Sequence, residues 1–311
     1  MKLASGNATS SRPHAAAGVR RLGMEMTLRD SKSDSLFHSA VVPPGKSGVT
    51  ISISREQANW ATISFTVRRL VAGQYWQTRT GNEEACLVLL GGTLRVDWGQ
   101  GRQTIGGRRN VFSGYPSAVY LPCHAPFELS AETDCEIADC RVPSEAKLEP
   151  RLIRPADVGV EIRGGGNATR QILDIIRPEF PADKLLVCEV YTPSGNWSSY
   201  PPHKHDVHNP PAEVDLDEIY YYRIDRPEGY AFQRLYDAGG TRDETLRVVD
   251  RDLVLVRDGY HPVVAAYGYN VYYLNVLAGS ARSMAASDDP RYAHLRAHWP
   301  EPDPRVPVVF P

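Results

Sequence analysis

The sequence predicts an all-β protein built as two similar antiparallel domains in tandem, each a sandwich or a barrel. Three observations carry that expectation: short β-branched or alternating runs recur from residue 48 onward, glycines and prolines punctuate them, and helical periodicity of useful length is nearly absent. The 24 prolines and 25 glycines are spread along 311 residues rather than pooled, as the turns between many short strands require. A chain of this length has room for about two domains and buries a large core without disulfides.

Taken in order, residues 1–37 are rich in Ser, Ala, Gly and Arg, lack a sustained apolar face, and are expected to be a disordered extension. They contain no apolar centre of the kind a secretory signal needs. Residues 38–150 are expected to make the first β domain, with strands at Val49–Ile53, Ile63–Val67, Ala85–Leu90, Thr93–Asp97 and Ala118–Leu121. Gly91-Gly92, Gly99, Gly101 and Gly106-Gly107 mark turns between them. The stretch Val142–Pro150 has linker composition. Residues 151–285 repeat the theme with more aromatics: Leu185–Tyr191, Glu218–Ile224, Ala231–Tyr236, Asp252–Val256 and Val271–Val276. Residues 286–311 form a proline-rich tail, expected to stay clear of any site.

Charge and cysteine content narrow the function classes. With 35 basic and 37 acidic residues the net charge is -2, which removes the electrostatic footprint of a nucleic-acid or anionic-membrane binder. No apolar stretch approaches the roughly 20 residues a membrane crossing needs. The five cysteines are scattered and form no CxxC pair, so a reducing, cytoplasmic setting is expected, with Cys86 and Cys188 as small buried hydrophobes. Gly164-Gly165-Gly166 precedes neither a helix nor a GKS/T pattern and reads as a bulge or turn rather than a phosphate loop.

The chemistry concentrates in the second half. Four of the nine histidines lie between 203 and 261, and two of them form His203-Lys204-His205. Strand alternation points both imidazoles into one cavity and Lys204 away. Glu218 opens the run EIYYYRI, and Gly259-Tyr260-His261 follows the strand DLVLV. An HxH pair alone is weak, since it also suits a solvated loop. In order with a strand-initial glutamate and a post-turn histidine it resembles the cupin metal site, where three neutral imidazoles and a carboxylate suit a divalent ion. His208, in HNPP, is expected on a surface loop; Glu213, Asp215 and Asp217 read as a solvated acidic cluster, with Asp217 facing outward.

The segments GNWSSYPPHKHD, EIYYYRI, GYAFQRLYD and GYHPVVAAYGYNVYYLNVLAG, with RLIRPADVGVEIRGGGNATRQI and EEACLVLLGGTLRV upstream, make the likeness more specific. From about residue 35 to 282 the chain resembles the 5-deoxy-glucuronate isomerases of inositol catabolism. That resemblance implies a bicupin, two tandem antiparallel cupin (jelly-roll) barrels, and an aldose–ketose isomerase converting 5-deoxy-D-glucuronate to 2-deoxy-5-keto-D-gluconate. It implies one divalent ion per chain, Zn or Mn foremost, held by His203, His205, Glu218 and His261. The first barrel has Thr78-Arg79-Thr80 where a cupin places its histidine pair, and a lone His124. It is expected to hold no metal and to pack against the second barrel or a further copy in a homo-oligomer.

A sugar-acid substrate asks for hydroxyl partners and a cation. Tyr220 and Tyr222 share the face of Glu218, and with Tyr260 and Arg234 they are the candidate catalytic groups. Gln233, Tyr273 and Arg170 are the candidate substrate contacts. Arg170 and Arg234 are the choices for the carboxylate, because a guanidinium fork matches it. Asn196, Trp197 and Ser198 are placed at the cavity mouth. The related 4-deoxy-5-hexosulose-uronate isomerase of pectin breakdown, a non-catalytic sugar-acid-binding cupin and a metal-dependent dioxygenase stand as alternatives.

Overall fold

The computed structural model describes residues 33–99 and 101–311, so the expected extension lies outside the described residues except for its last five positions. Ser33–Pro311 packs as one unit. Its strands pair antiparallel throughout the named ladders, in two large sheets and two four-stranded ones plus a two-stranded ladder. The six-stranded sheet runs Arg151–Ile153, Ser117–Leu121, Glu83–Gly91, Cys135–Pro143, Ser64–Leu70, Gly48–Ile53. The seven-stranded sheet runs Leu36–Phe37, Leu253–Val256, Leu216–Ile224, Val271–Gly279, Leu186–Thr192, Arg170–Ile176, Gly159–Arg163.

Each large sheet is buried on both faces, which explains why its strands read as near-continuous apolar runs rather than clean alternation. One face of each meets the other large sheet: Phe65, Val88 and Tyr120 share a core with Tyr191, Tyr221 and Tyr272, and the Phe65 and Tyr221 rings stand 5.6 Å apart. The opposite faces close over separate cores. Leu87, Leu94 and Phe127 belong to the first half, and Val190, Tyr222 and Val263 to the second. In the strand Leu216–Ile224, Tyr221 thus faces the other half while Tyr220 and Tyr222 face inward.

Two buried carboxylates join the halves. Glu84 accepts the backbone N–H groups of Asp183 (2.8 Å), Lys184 (2.6 Å) and Leu185 (2.7 Å) and the Tyr120 hydroxyl (2.7 Å). Glu189 takes the Arg108 guanidinium bidentately, at 2.6 and 3.0 Å, and also accepts the Tyr191 and Tyr272 hydroxyls, each at 2.9 Å.

The ends of the chain differ from expectation. Leu36–Phe37 is not disordered but forms a strand against Leu253–Val256, with Phe37 packed on the core shared by the two large sheets and Leu36 on the second half's own core. Arg151–Ile153 still pairs with Ser117–Leu121, so the chain crosses to the second half after residue 153. The 286–311 segment is built in: Ser287–Asp288 pairs with His203–Lys204, the Gln171 side chain bonds the backbone of Val308 and Val309, and Val309 is buried between the sheets. Among the described residues no helix is long and apolar enough to cross a membrane.

Candidate active site

A cavity of about 420 Å³ opens inside the second half, against the inner face of the seven-stranded sheet. Alternation builds its wall. Arg170, Ile172 and Asp174 from one strand, Cys188 and Val190 from the next, Tyr273 and Asn275, and then Glu218 and Tyr220 all project the same way. His203 enters from the two-residue strand His203–Lys204 and His205 from the position just after it.

Among the described residues, one group has the spacing of metal ligands: His205, Glu218 and His261, all buried. The Glu218 Oε2 lies 3.0 Å from His205 Nε2 and 3.3 Å from His261 Nε2. His203 stands beside this triad, its ring centroid 4.9 Å from that of His261 and 6.3 Å from that of His205. Each imidazole is oriented by its other nitrogen. The Nδ1 of His203 faces the carbonyl of Pro201 (3.3 Å), that of His205 the carbonyl of Leu216 (2.9 Å), and that of His261 the carbonyl of Gly259 (3.0 Å). A carbonyl can only accept, so Nδ1 carries the hydrogen in each ring and Nε2 is left as a lone pair.

That leaves acceptors facing acceptors. The His261 Nε2 is buried with no hydrogen-bond partner, and Glu218 adds a carboxylate between two imidazole lone pairs. A cation resolves the conflict, and two atoms bound at right angles about 2.1 Å from one ion lie about 3.0 Å apart. Burial, reinforced by the neighbouring imidazoles, pushes His203 well below the usual histidine range. Burial likewise pushes His261 down to about 4. Both imidazoles are therefore neutral at pH 7. At His205 burial acts in the same direction, but the Glu218 hydrogen bond and charge outweigh it and raise the group. A proton there does what a metal ion would do.

The local sequence serves this geometry. Gly259 has φ 75°, and a Cβ there would lie 2.5 Å from the Tyr236 carbonyl oxygen, so glycine is required two residues before His261. Asp206 accepts the Gly259 N–H at 2.9 Å, tying the turn to the HxH segment. Glu213 is not a solvated acid: it is buried, takes Lys204 Nζ at 2.8 Å and accepts the N–H groups of Asp206 and Val207. Asp217 does face away from the cavity, toward Thr62 of the first half, and His208 is exposed on Ser280.

The remaining candidates separate. Tyr220 lines the cavity with its hydroxyl 2.9 Å from Ser199 Oγ, and burial followed by the Glu218 charge holds its pKa well above the usual range. Tyr273 also lines it, pushed up to about 12 by burial. Arg170 is buried in the wall, gives Nη1 to the carbonyls of Tyr200 (3.0 Å) and Ala168 (3.2 Å), and has no carboxylate partner among the described residues. Burial lowers it to about 10, so it stays charged.

Tyr222 and Gln233 lie one layer deeper, bonded to each other at 2.9 Å, outside the cavity lining. Three further positions differ from expectation. Arg234 alternates with the inward Gln233 and so points outward, paired with Asp243 at 2.7 Å and lying over the Tyr236 ring; it cannot meet a ligand in the cavity. Tyr260 faces away from His261 onto Tyr236, 5.1 Å between ring centroids. Asn196 is buried against Thr169 and Asp303 rather than at the mouth. The sequence reading missed Ser199, whose φ of 49° is unusual outside glycine and which sits at the cavity beside Tyr220.

A family model described as KduI/IolB matches residues 37–295. The chain belongs to the KduI/IolB family. Proteins named 5-deoxy-glucuronate isomerase are similar to it: that of Geobacillus thermodenitrificans is 45% identical over 249 residues, 79% of this chain and 91% of that protein. That of Bacillus subtilis is 39% identical over 243 residues, 77% and 90% respectively. Among solved structures, an IolB-like protein from Salmonella typhimurium is 38% identical with a TM-score of 0.81, covering 84% of this chain and 98% of that one. An oxalate decarboxylase from Lactobacillus farciminis, 10% identical with a TM-score of 0.59, covers 82% of this chain and 88% of its own and shares the fold alone. The expected all-β bicupin architecture is the one this family member has.

Proposed function

We propose that this family member is a metal-dependent 5-deoxy-glucuronate isomerase, turning 5-deoxy-D-glucuronate into 2-deoxy-5-keto-D-gluconate in the breakdown of myo-inositol. Its relatives of that name match it over nine-tenths of their length. The observation that carries the metal is the convergence of imidazole lone pairs and a carboxylate on one buried point. His205, Glu218 and His261 would hold the ion, with His203 as the fourth ligand.

A divalent ion bound there supplies Lewis-acid stabilisation of oxyanion charge on neighbouring carbonyl and hydroxyl oxygens. The chain's own residues do the rest. Arg170 takes the substrate carboxylate from the cavity wall. The Tyr220 Oη, backed by Ser199 Oγ, and the Tyr273 Oη offer hydrogen bonds to the sugar hydroxyls near the carbons that exchange the carbonyl. Ile172, Val190 and Leu277 exclude water around them.

The test is NMR-monitored incubation of the purified protein with 5-deoxy-D-glucuronate, with 4-deoxy-5-hexosulose-uronate in a parallel tube. The expected result is appearance of the 5-keto product from the first substrate and little change in the second. An unchanged spectrum with 5-deoxy-D-glucuronate under every metal tried would overturn the assignment, and turnover of the second substrate alone would move it to pectin breakdown.

A further inference from the structure

The last segment of the chain contributes a cation to the cavity. Arg296 lies in the 3-10 turn Ala293–His298 and lines the cavity together with Arg163 and Arg170. It is held by a bidentate pair with Asp288, and Asp288 sits opposite His203 in the two-stranded ladder, so the guanidinium is fixed beside the ligand strand. The pair uses Nε and Nη2 and leaves Nη1 free to donate. The Trp299 ring lies 5.4 Å from the Arg296 guanidinium carbon.

The three guanidinium groups are not equivalent. Arg163 stands opposite Arg170 in its ladder, but its fork is spent on Glu161, at 2.6 and 2.7 Å. Arg170 donates only to backbone carbonyls in the hydrogen bonds it makes. Arg170 is therefore the one of the three with no carboxylate partner among the described residues, and Arg296 keeps Nη1 outside its pair with Asp288. A planar carboxylate matches donors arriving from these two arginines.

We propose that Arg296 and Arg170 together clasp the carboxylate of the ligand, so that the segment Ser287–His298 sets the preference for sugar acids over neutral sugars. This rests on the reading of the cavity as a sugar-acid site. Arg296 is half exposed, and a half-exposed ion pair contributes little to stability, so its substitution leaves the fold intact.

The experiment is calorimetric titration of the full chain with D-gluconate and with D-glucitol, which differ only in the carboxylate. It uses the wild type, Arg296→Ala, Arg296→Lys and, as a control, Arg291→Ala, whose side chain pairs with Asp289 outside the cavity lining. The wild type is expected to bind gluconate more tightly. Arg296→Ala should lose roughly tenfold or more of that preference through its affinity for gluconate, and the lysine variant should recover part of it. The control should match the wild type. A wild type with no preference, an Arg296→Ala ratio equal to the wild type's, or an equal loss in Arg291→Ala overturns the proposal. Turnover of 5-deoxy-D-glucuronate by the same wild-type preparation reports on the isomerase reading separately.

Discussion

Replacing His261 with alanine is expected to lower kcat/KM for 5-deoxy-D-glucuronate by roughly a thousandfold or more, a barrier change of about 4 kcal/mol. The imidazole is fully buried, its Nε2 has no protein hydrogen-bond partner, and its Nδ1 is anchored on Gly259. Alanine removes a ligand without disturbing the strands around it, so the β-rich circular dichroism spectrum stays while bound metal, read by elemental analysis, falls. His203→Ala should behave alike, and it tests the ligand that stands apart from the tight triad. Turnover retained in either variant contradicts the site.

The largest effect on stability is expected at Glu189. Its carboxylate is fully buried, and its four contacts include both arms of Arg108, whose charged form burial disfavours and Glu189 favours. Glu189→Ala strands a buried cation between the sheets, a loss of about 3–5 kcal/mol. For a chain of this size that lowers Tm by on the order of 10 °C. A shift under about 2 °C in a thermal melt would contradict this account of how the halves are held together.

Much of the site was legible because it is written in alternation. The HxH pair, and the parity of Glu218 and Tyr220 in EIYYYRI, need only the period of a strand to place them on one wall. The same arithmetic speaks against Arg234 and Tyr260: each directly neighbours a residue whose side chain points inward, Gln233 and His261, and so faces the other way. Residue type outweighed position in selecting them. Tyr222 has the right parity but sits one row further along, where Gln233 closes over it.

Arg296, Asp288 and Glu213 had no such signal. A two-residue strand, a short 3-10 turn and a proline-flanked loop have no periodicity to read, and their roles come from contacts with residues far away in the chain. The strand at Leu36–Phe37 was lost for the same reason: two residues gain their order only from pairing with Leu253 and Val254. The second half's long apolar runs were legible as strands. That their outward faces meet the other half, Tyr221 against Phe65, depends on a packing that no local pattern encodes.

Metal dependence is tested by stripping the protein with chelator, dialysing it, and titrating Mn or Zn back while following conversion of 5-deoxy-D-glucuronate. No turnover is expected in the stripped protein and full recovery at one ion per chain, with His261→Ala unresponsive at the same metal concentration. Undiminished turnover in protein shown by elemental analysis to be metal-free would contradict it.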